Sequence, residues 1–116
     1  MSQETIKLAP GEFLLHEGDQ STEMYYLISG TLNVIKRKGD KTATIGSIIA
    51  GELVGEMSFL DREPRCATVQ ALSECTLIVI PNENFEDNLS KMPKWFRALI
   101  STLLDRLRRA NVRIKI

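Results

Sequence analysis

"GEMSFLDREPRCAT", residues 55–68, is the stretch on which the fold turns. A glycine and an acid open it, and Pro64 and Arg65 follow, the arginine nine residues after Glu56, with the small residues Cys66 and Ala67 beyond. Gly55 admits a positive φ or a close backbone approach. Residues 56–60 suffice for one helical turn, whose free N–H groups would face an anion. Arg65 is a planar, permanently charged fork suited to a pair of phosphate oxygens. Glu56 is an acceptor-only carboxylate suited to a sugar hydroxyl. A phosphate on one side and a ribose hydroxyl on the other describe a nucleotide whose phosphate and sugar lie close together. The other role open to the pair is an internal salt bridge that organises a turn without ligand. The cost of burying unpaired charge weighs against it.

Around this stretch the chain reads as short strands cut by turns. Strands are predicted over 6–8, 13–16, 24–29, 31–37 and 42–49, punctuated by Pro10–Gly11, Gly18–Asp19, a tight bend at Gly30 and a "KGDK" hairpin tip. After Arg65, "ATVQAL" and "CTLIVIP" add two more. The apolar run over 77–80 predicts a central strand buried on both faces. Many short strands with glycine-rich turns predict a sandwich or jelly roll.

The pattern changes at Asn82, which is expected to cap a helix whose first turns carry Glu83, Glu86 and Asp87 near the positive end of the dipole. Pro93 is expected to open a second helix, where its missing N–H costs little. That helix places Phe96, Ile100, Leu103, Leu107, Ala110 and Ile114 at steps of four, three, four, three and four, a heptad seam widened by Leu99 and Leu104. The seam can pack on the chain's own sandwich or pair with the same helix of a second copy.

With 116 residues, 43% hydrophobic and 26% charged, the chain has the proportions of one globular domain with its own core. Fifteen basic and fifteen acidic residues cancel, but residues 91–116 hold eight basic side chains against Asp105 alone. That segment is +7 and the first ninety residues −7, an asymmetry that marks either a contact surface or a basic helix lying on an acidic body. "MSQETIKLAP" lacks the apolar centre of a signal peptide, and no run approaches the ~18 apolar residues of a membrane span, so a cytoplasmic protein with no membrane partner is expected. Cys66 and Cys75 are too few for a disulfide framework and read as free thiols, with Cys75 buried in a strand. His16 is the one histidine, so neither a metal site nor a Ser-His-Asp or Cys-His set can be assembled, and no catalytic role is expected. Arg106, Arg108, Arg109 and Arg113 could meet nucleic-acid phosphates, but without a recognition-helix context the expected partner is an acidic protein surface, that of an effector or of a dimer mate.

Gly55, Glu56, Pro64, Arg65 and Ala67, in this order and spacing, resemble the phosphate-binding cassette of the cyclic nucleotide-binding domain family. That family includes the catabolite-activator-type regulators, the regulatory subunits of cyclic-AMP-dependent kinase and the cyclic-nucleotide-gated channels. "YYLISGTLNVI", residues 25–35, resembles the hairpin that the family builds from an aromatic, hydrophobic residues and a glycine. The resemblance covers nearly the whole chain. It implies a mainly β fold with flanking helices: an eight-stranded β-jelly-roll, a short phosphate-cassette helix and C-terminal helices. It implies a single domain over 1–116, with the β-roll at about 5–81 and the C-terminal helices at about 82–116.

It also implies roles. Glu56 would hold the ribose 2′-hydroxyl and Arg65 would pair with the cyclic phosphate, with backbone amides near Met57, Ser58, Cys66 and Ala67 completing the cradle beside Gly55. Val34 and Ile45 would flank the base, and Asn111 would reach the purine edge from the last helix. A threonine at the position of Cys66 resembles members that prefer cyclic GMP. Cysteine is a poor hydrogen-bond partner, so cyclic AMP is the expected ligand over cyclic GMP, with no metal. Val54 stands where the family often carries an aromatic. The function implied is a stand-alone regulatory domain, with no DNA-reading, kinase, channel or cyclase segment. On binding cyclic nucleotide it would reposition its C-terminal helices onto a protein effector, with a homodimer through the last helix. Only differential affinity for two helix arrangements can drive such a change. The alternative is a ligand-free scaffold of the same fold that acts as a protein-interaction module.

Overall fold

A computed structural model of the protein describes residues 4–20, 22–56 and 64–114, the side chains of 108 and 111–114 excepted. Among these residues eight strands, β1 (Thr5–Leu8), β2 (Phe13–Leu15), β3 (Glu23–Ser29), β4 (Thr31–Lys38), β5 (Lys41–Ile49), β6 (Leu53–Val54), β7 (Thr68–Ala71) and β8 (Cys75–Pro81), precede the helices α1 (Asn82–Ser90) and α2 (Lys94–Ile114). The strands form two four-stranded antiparallel sheets in the orders β1-β8-β3-β6 and β2-β7-β4-β5. This is the expected jelly roll with flanking helices.

Alternation along the strands fills the space between the sheets. Leu27 and Leu77 come from one sheet and Leu32 from the other, all at 0% exposure, with Leu15, Tyr25, Val54, Val69, Ala71, Cys75 and Val79 around them. β8 is central, between β1 and β3, as the run over 77–80 predicts, but it is not buried on both faces. Leu77 and Val79 turn inward while Ile78 and Ile80 stay half-buried, because nothing as thick as a second sheet covers the outer face. Gly30, at φ +100° between β3 and β4, is fixed by crowding: a Cβ there would lie 2.7 Å from the Cys75 sulfur.

Three local expectations are corrected. Pro81, not Asn82, occupies the cap position of α1, without a side-chain cap bond, and the Asn82 N–H is satisfied by the Thr22 carbonyl at 3.2 Å. Only Glu83 of the three acids falls in the first turn. Pro93 lies one residue before α2, and its carbonyl accepts the first helical bonds from Phe96 and Arg97 at 3.0 and 3.1 Å.

The seam of α2 is divided. Phe96, Ile100 and Leu104 are half-buried, whereas Leu103 and Leu107 are each 48% exposed and Leu99 45%. Trp95, edge-on to Phe96, is 69% exposed at the helix start. No helix among the described residues is long and apolar enough to cross a membrane.

Candidate functional site

Two segments line a cavity against the β2-β7-β4-β5 sheet. The chain leaves β6 at Gly55, whose φ of +79° turns it sharply, and Glu56 follows with helical backbone. Residues 64–67 approach from the other side and lead into β7. The cavity between them is about 640 Å³, within the range of small-molecule sites. Leu15, Val34, Ile48, Val54 and Val69 supply its apolar wall, and Glu52, Glu56 and Arg65 bring the charge. The Glu52 carboxylate is turned back on its own bend, accepting from the Ile49 N–H at 2.9 Å.

Arg65 is buried, at 5% exposure. Its Nη2 donates to the Glu23 carbonyl at 2.6 Å and its Nη1 to the Gly55 carbonyl at 3.3 Å. Its main chain is pinned as well: the Arg65 N–H donates to the Asp19 carbonyl at 2.8 Å, and the Arg65 carbonyl accepts from the Gly18 N–H at 2.8 Å. Burial pulls the guanidinium below its ordinary value, and Tyr25, Glu23 and Asp19 pull the other way. A Cβ on Gly55 would overlap Arg65 Nη1, so the glycine is required by the arginine's seat as much as by the turn. Tyr25 completes the cluster. Its hydroxyl donates to Glu23 Oε1 at 2.7 Å, and burial, then that bond, pushes the phenol above its usual range.

The Glu56 carboxylate is half-buried on the cavity wall, and among the described residues no ion pair or hydrogen bond joins it to Arg65. Cys66 is exposed and Ala67 buried, and both line the cavity. Met57 and Ser58 lie outside the described residues. Asn111 lies on α2, and its side chain is outside them too. Ile45 is corrected: it is 40% exposed and does not line the cavity, and Ile48 stands there instead. The cause is alternation: Leu32 faces Ile48 and Val34 faces Gly46, so Ile45 falls on the opposite face of β5 from both.

Sequence reasoning also missed Lys36. Its Nζ donates to the Cys66 carbonyl at 2.6 Å and pairs with Glu17 Oε2 at 3.7 Å. His16 lies against the Phe13 ring, centroids 5.0 Å apart. Among the described residues no three His, Cys, Asp or Glu side chains gather as a metal site would need.

With this geometry in place, comparison with known proteins is direct. Residues 5–91 match the family described as the cyclic nucleotide-binding domain. Over 100 residues, 86% of this chain, the sequence is 33% identical to the human potassium/sodium hyperpolarization-activated cyclic nucleotide-gated channel 4, and the match spans 8% of that protein's length. The catabolite activator protein of Thermus thermophilus superposes with a TM-score of 0.79 at 25% identity, over 97% of this chain and 54% of that one. The EAL enzyme Bd1971, in a form bound to cyclic AMP and cyclic-di-GMP, superposes with a TM-score of 0.82 at 26% identity, over 94% of this chain and 29% of that one.

Proposed function

The chain belongs to the cyclic nucleotide-binding domain family, a regulatory fold, and from that premise we propose that the cavity at Arg65 takes cyclic AMP and signals through the C-terminal helices. The observation that carries this is a buried guanidinium seated in the wall of a 640 Å³ apolar cavity. Arg65 meets the cyclic phosphate from its seat in the cavity wall. Glu56 accepts from the ribose 2′-hydroxyl. The amides near Met57, Ser58, Cys66 and Ala67 complete the cradle, and Val34 and Ile48 flank the base. Asn111 reaches the purine edge once α2 closes.

Occupancy favours one placement of α1 and α2 over another only through differential contacts. The exposed side of α2, with Leu99, Leu103 and Leu107, supplies the surface that changes hands, to an acidic protein effector or to the same helix of a second copy. The β-roll and the helices then work as one regulatory domain over 1–116, without catalysis of their own. Cysteine at 66 offers guanine no good hydrogen bond, which favours cyclic AMP over cyclic GMP.

Isothermal titration tests the proposal. Cyclic AMP gives saturable heat, cyclic GMP binds more weakly, and Arg65→Ala reduces affinity by at least about a hundredfold, the loss expected when a charge-assisted phosphate contact goes. A folded wild type that gives no heat with any cyclic nucleotide sinks the proposal and leaves the scaffold role.

A further inference from the structure

Two consecutive carbonyls on the 65–67 segment are held from outside the cavity. Gly18 N–H binds the Arg65 carbonyl at 2.8 Å, and Lys36 Nζ binds the Cys66 carbonyl at 2.6 Å. In a planar trans peptide the next residue's N–H points opposite to the carbonyl. Holding these two oxygens therefore fixes the directions of the Cys66 and Ala67 N–H groups. Neither N–H has an acceptor among the described residues, and both residues line the cavity. Paired backbone donors without acceptors in a concave wall form a seat for an anion.

The first hold is backbone to backbone and any sequence could make it. The second depends on a particular side chain. Lys36 sits on β4 two residues past Val34, so alternation carries it to the same face of the sheet. There it is drawn toward Cys66 while Glu17 Oε2 stands 3.7 Å from the same nitrogen. Glu17 is itself anchored: its Oε1 accepts from the Arg37 N–H at 3.1 Å, and its own N–H donates to Thr68 Oγ1 at 3.0 Å. The chain of support runs from the start of β7 through Glu17 to Lys36 and back to the peptide just before β7.

We infer that Lys36, held by Glu17, is a positioning residue for phosphate recognition: it clamps the Cys66 carbonyl so that the Cys66–Ala67 peptide presents its N–H to the anion. This rests on the proposed nucleotide site. Lys36 has no need to touch the ligand.

Titration with cyclic AMP is compared across variants whose thermal midpoints match wild type. Lys36→Met keeps the stem and removes the donor, and is expected to weaken binding roughly tenfold, the scale of one charge-assisted hydrogen bond to a phosphate. Lys36→Arg is expected to restore it to within about twofold, since guanidinium can donate to the same carbonyl. Glu17→Gln separates positioning from direct attraction. Removing a negative charge near the site would strengthen anion binding if Lys36 acted by Coulomb attraction alone, whereas loss of its anchor weakens binding roughly threefold. Residual dipolar couplings of the Ala67 N–H in the ligand-free protein give a reading independent of ligand. They are expected to change in Lys36→Met and to return in Lys36→Arg. Unchanged couplings, unchanged affinity in Lys36→Met, or tighter binding in Glu17→Gln overturns the clamp. A wild type silent to every cyclic nucleotide overturns the site on which the clamp rests.

Discussion

The leucines of the β-roll and those of α2 are equally apolar and differently used. Leu27, Leu32 and Leu77 are fully enclosed, each in a strand that alternates inward and outward. Leu99, Leu103 and Leu107 recur along one helix and remain nearly half exposed. The roll encloses its central leucines between its two sheets, although Phe13, Ile49 and Leu72 stay exposed at its surface. The helix does not enclose its leucines, and its apolar side stays available for whichever surface it meets. A packed scaffold and a helix with uncommitted area would suit the population-shift switch proposed above.

The contrast can be broken most severely at Leu77. Leu77→Ala opens a void at a site with no solvent and no slack, and is expected to cost about 3 kcal/mol or more in urea denaturation. A cost below about 1 kcal/mol would mean that the roll is not the rigid member of the pair. Gly55→Ala comes next, at about 2 kcal/mol, from a side chain at positive φ that also overlaps Arg65. Its mark is a joint loss of stability and of cyclic nucleotide binding, which Leu77→Ala at temperatures well below its midpoint should not show.

Tyr25→Phe is smaller, about 1 kcal/mol at neutral pH, for the lost bond to Glu23. It also tests a pH limb. The phenol's folded value is raised above its unfolded one, so the neutral form is favoured by folding. That contribution is fully present below about pH 10 and is lost as pH rises through the folded value. Tyr25→Phe should flatten this alkaline decline in thermal midpoint. A variant that declines as steeply as wild type assigns the limb to another group. Smallest of all, Leu103→Ala should change the stability of the chain by no more than about 0.5 kcal/mol. A loss as large as that of a core leucine would show that the helix face is already covered in solution.

The sequence made the roll legible because period-two alternation and glycine turns are local signals, as at residues 31–37 and at Gly30. It made Gly55, Glu56 and Arg65 legible because their residue types state their chemistry. β6 was missed because two residues, Leu53 and Val54, carry no period. Ile45 was exchanged for Ile48 because the inward face of β5 is set by its pairing with β4, where Leu32 faces Ile48 and Val34 faces Gly46, and isoleucines at 45, 48 and 49 leave the face ambiguous in β5 alone. Lys36 read as one more surface charge at the end of a strand. Its partner, the Cys66 carbonyl, is thirty residues away, and main-chain atoms leave no trace in a sequence. Asn82 looked like a cap because its residue type favours one, but the helix is entered one residue earlier, at Pro81, which places Asn82 inside the first turn.

The indole of Trp95 is the chain's single tryptophan, and it stands largely in water at the first turn of α2. Excited apart from the tyrosines, its emission reports on the surroundings of that helix. Any closure of α2 that shields the ring shifts the emission to the blue, so the unlabelled protein carries its own optical gauge of the step between occupancy and output.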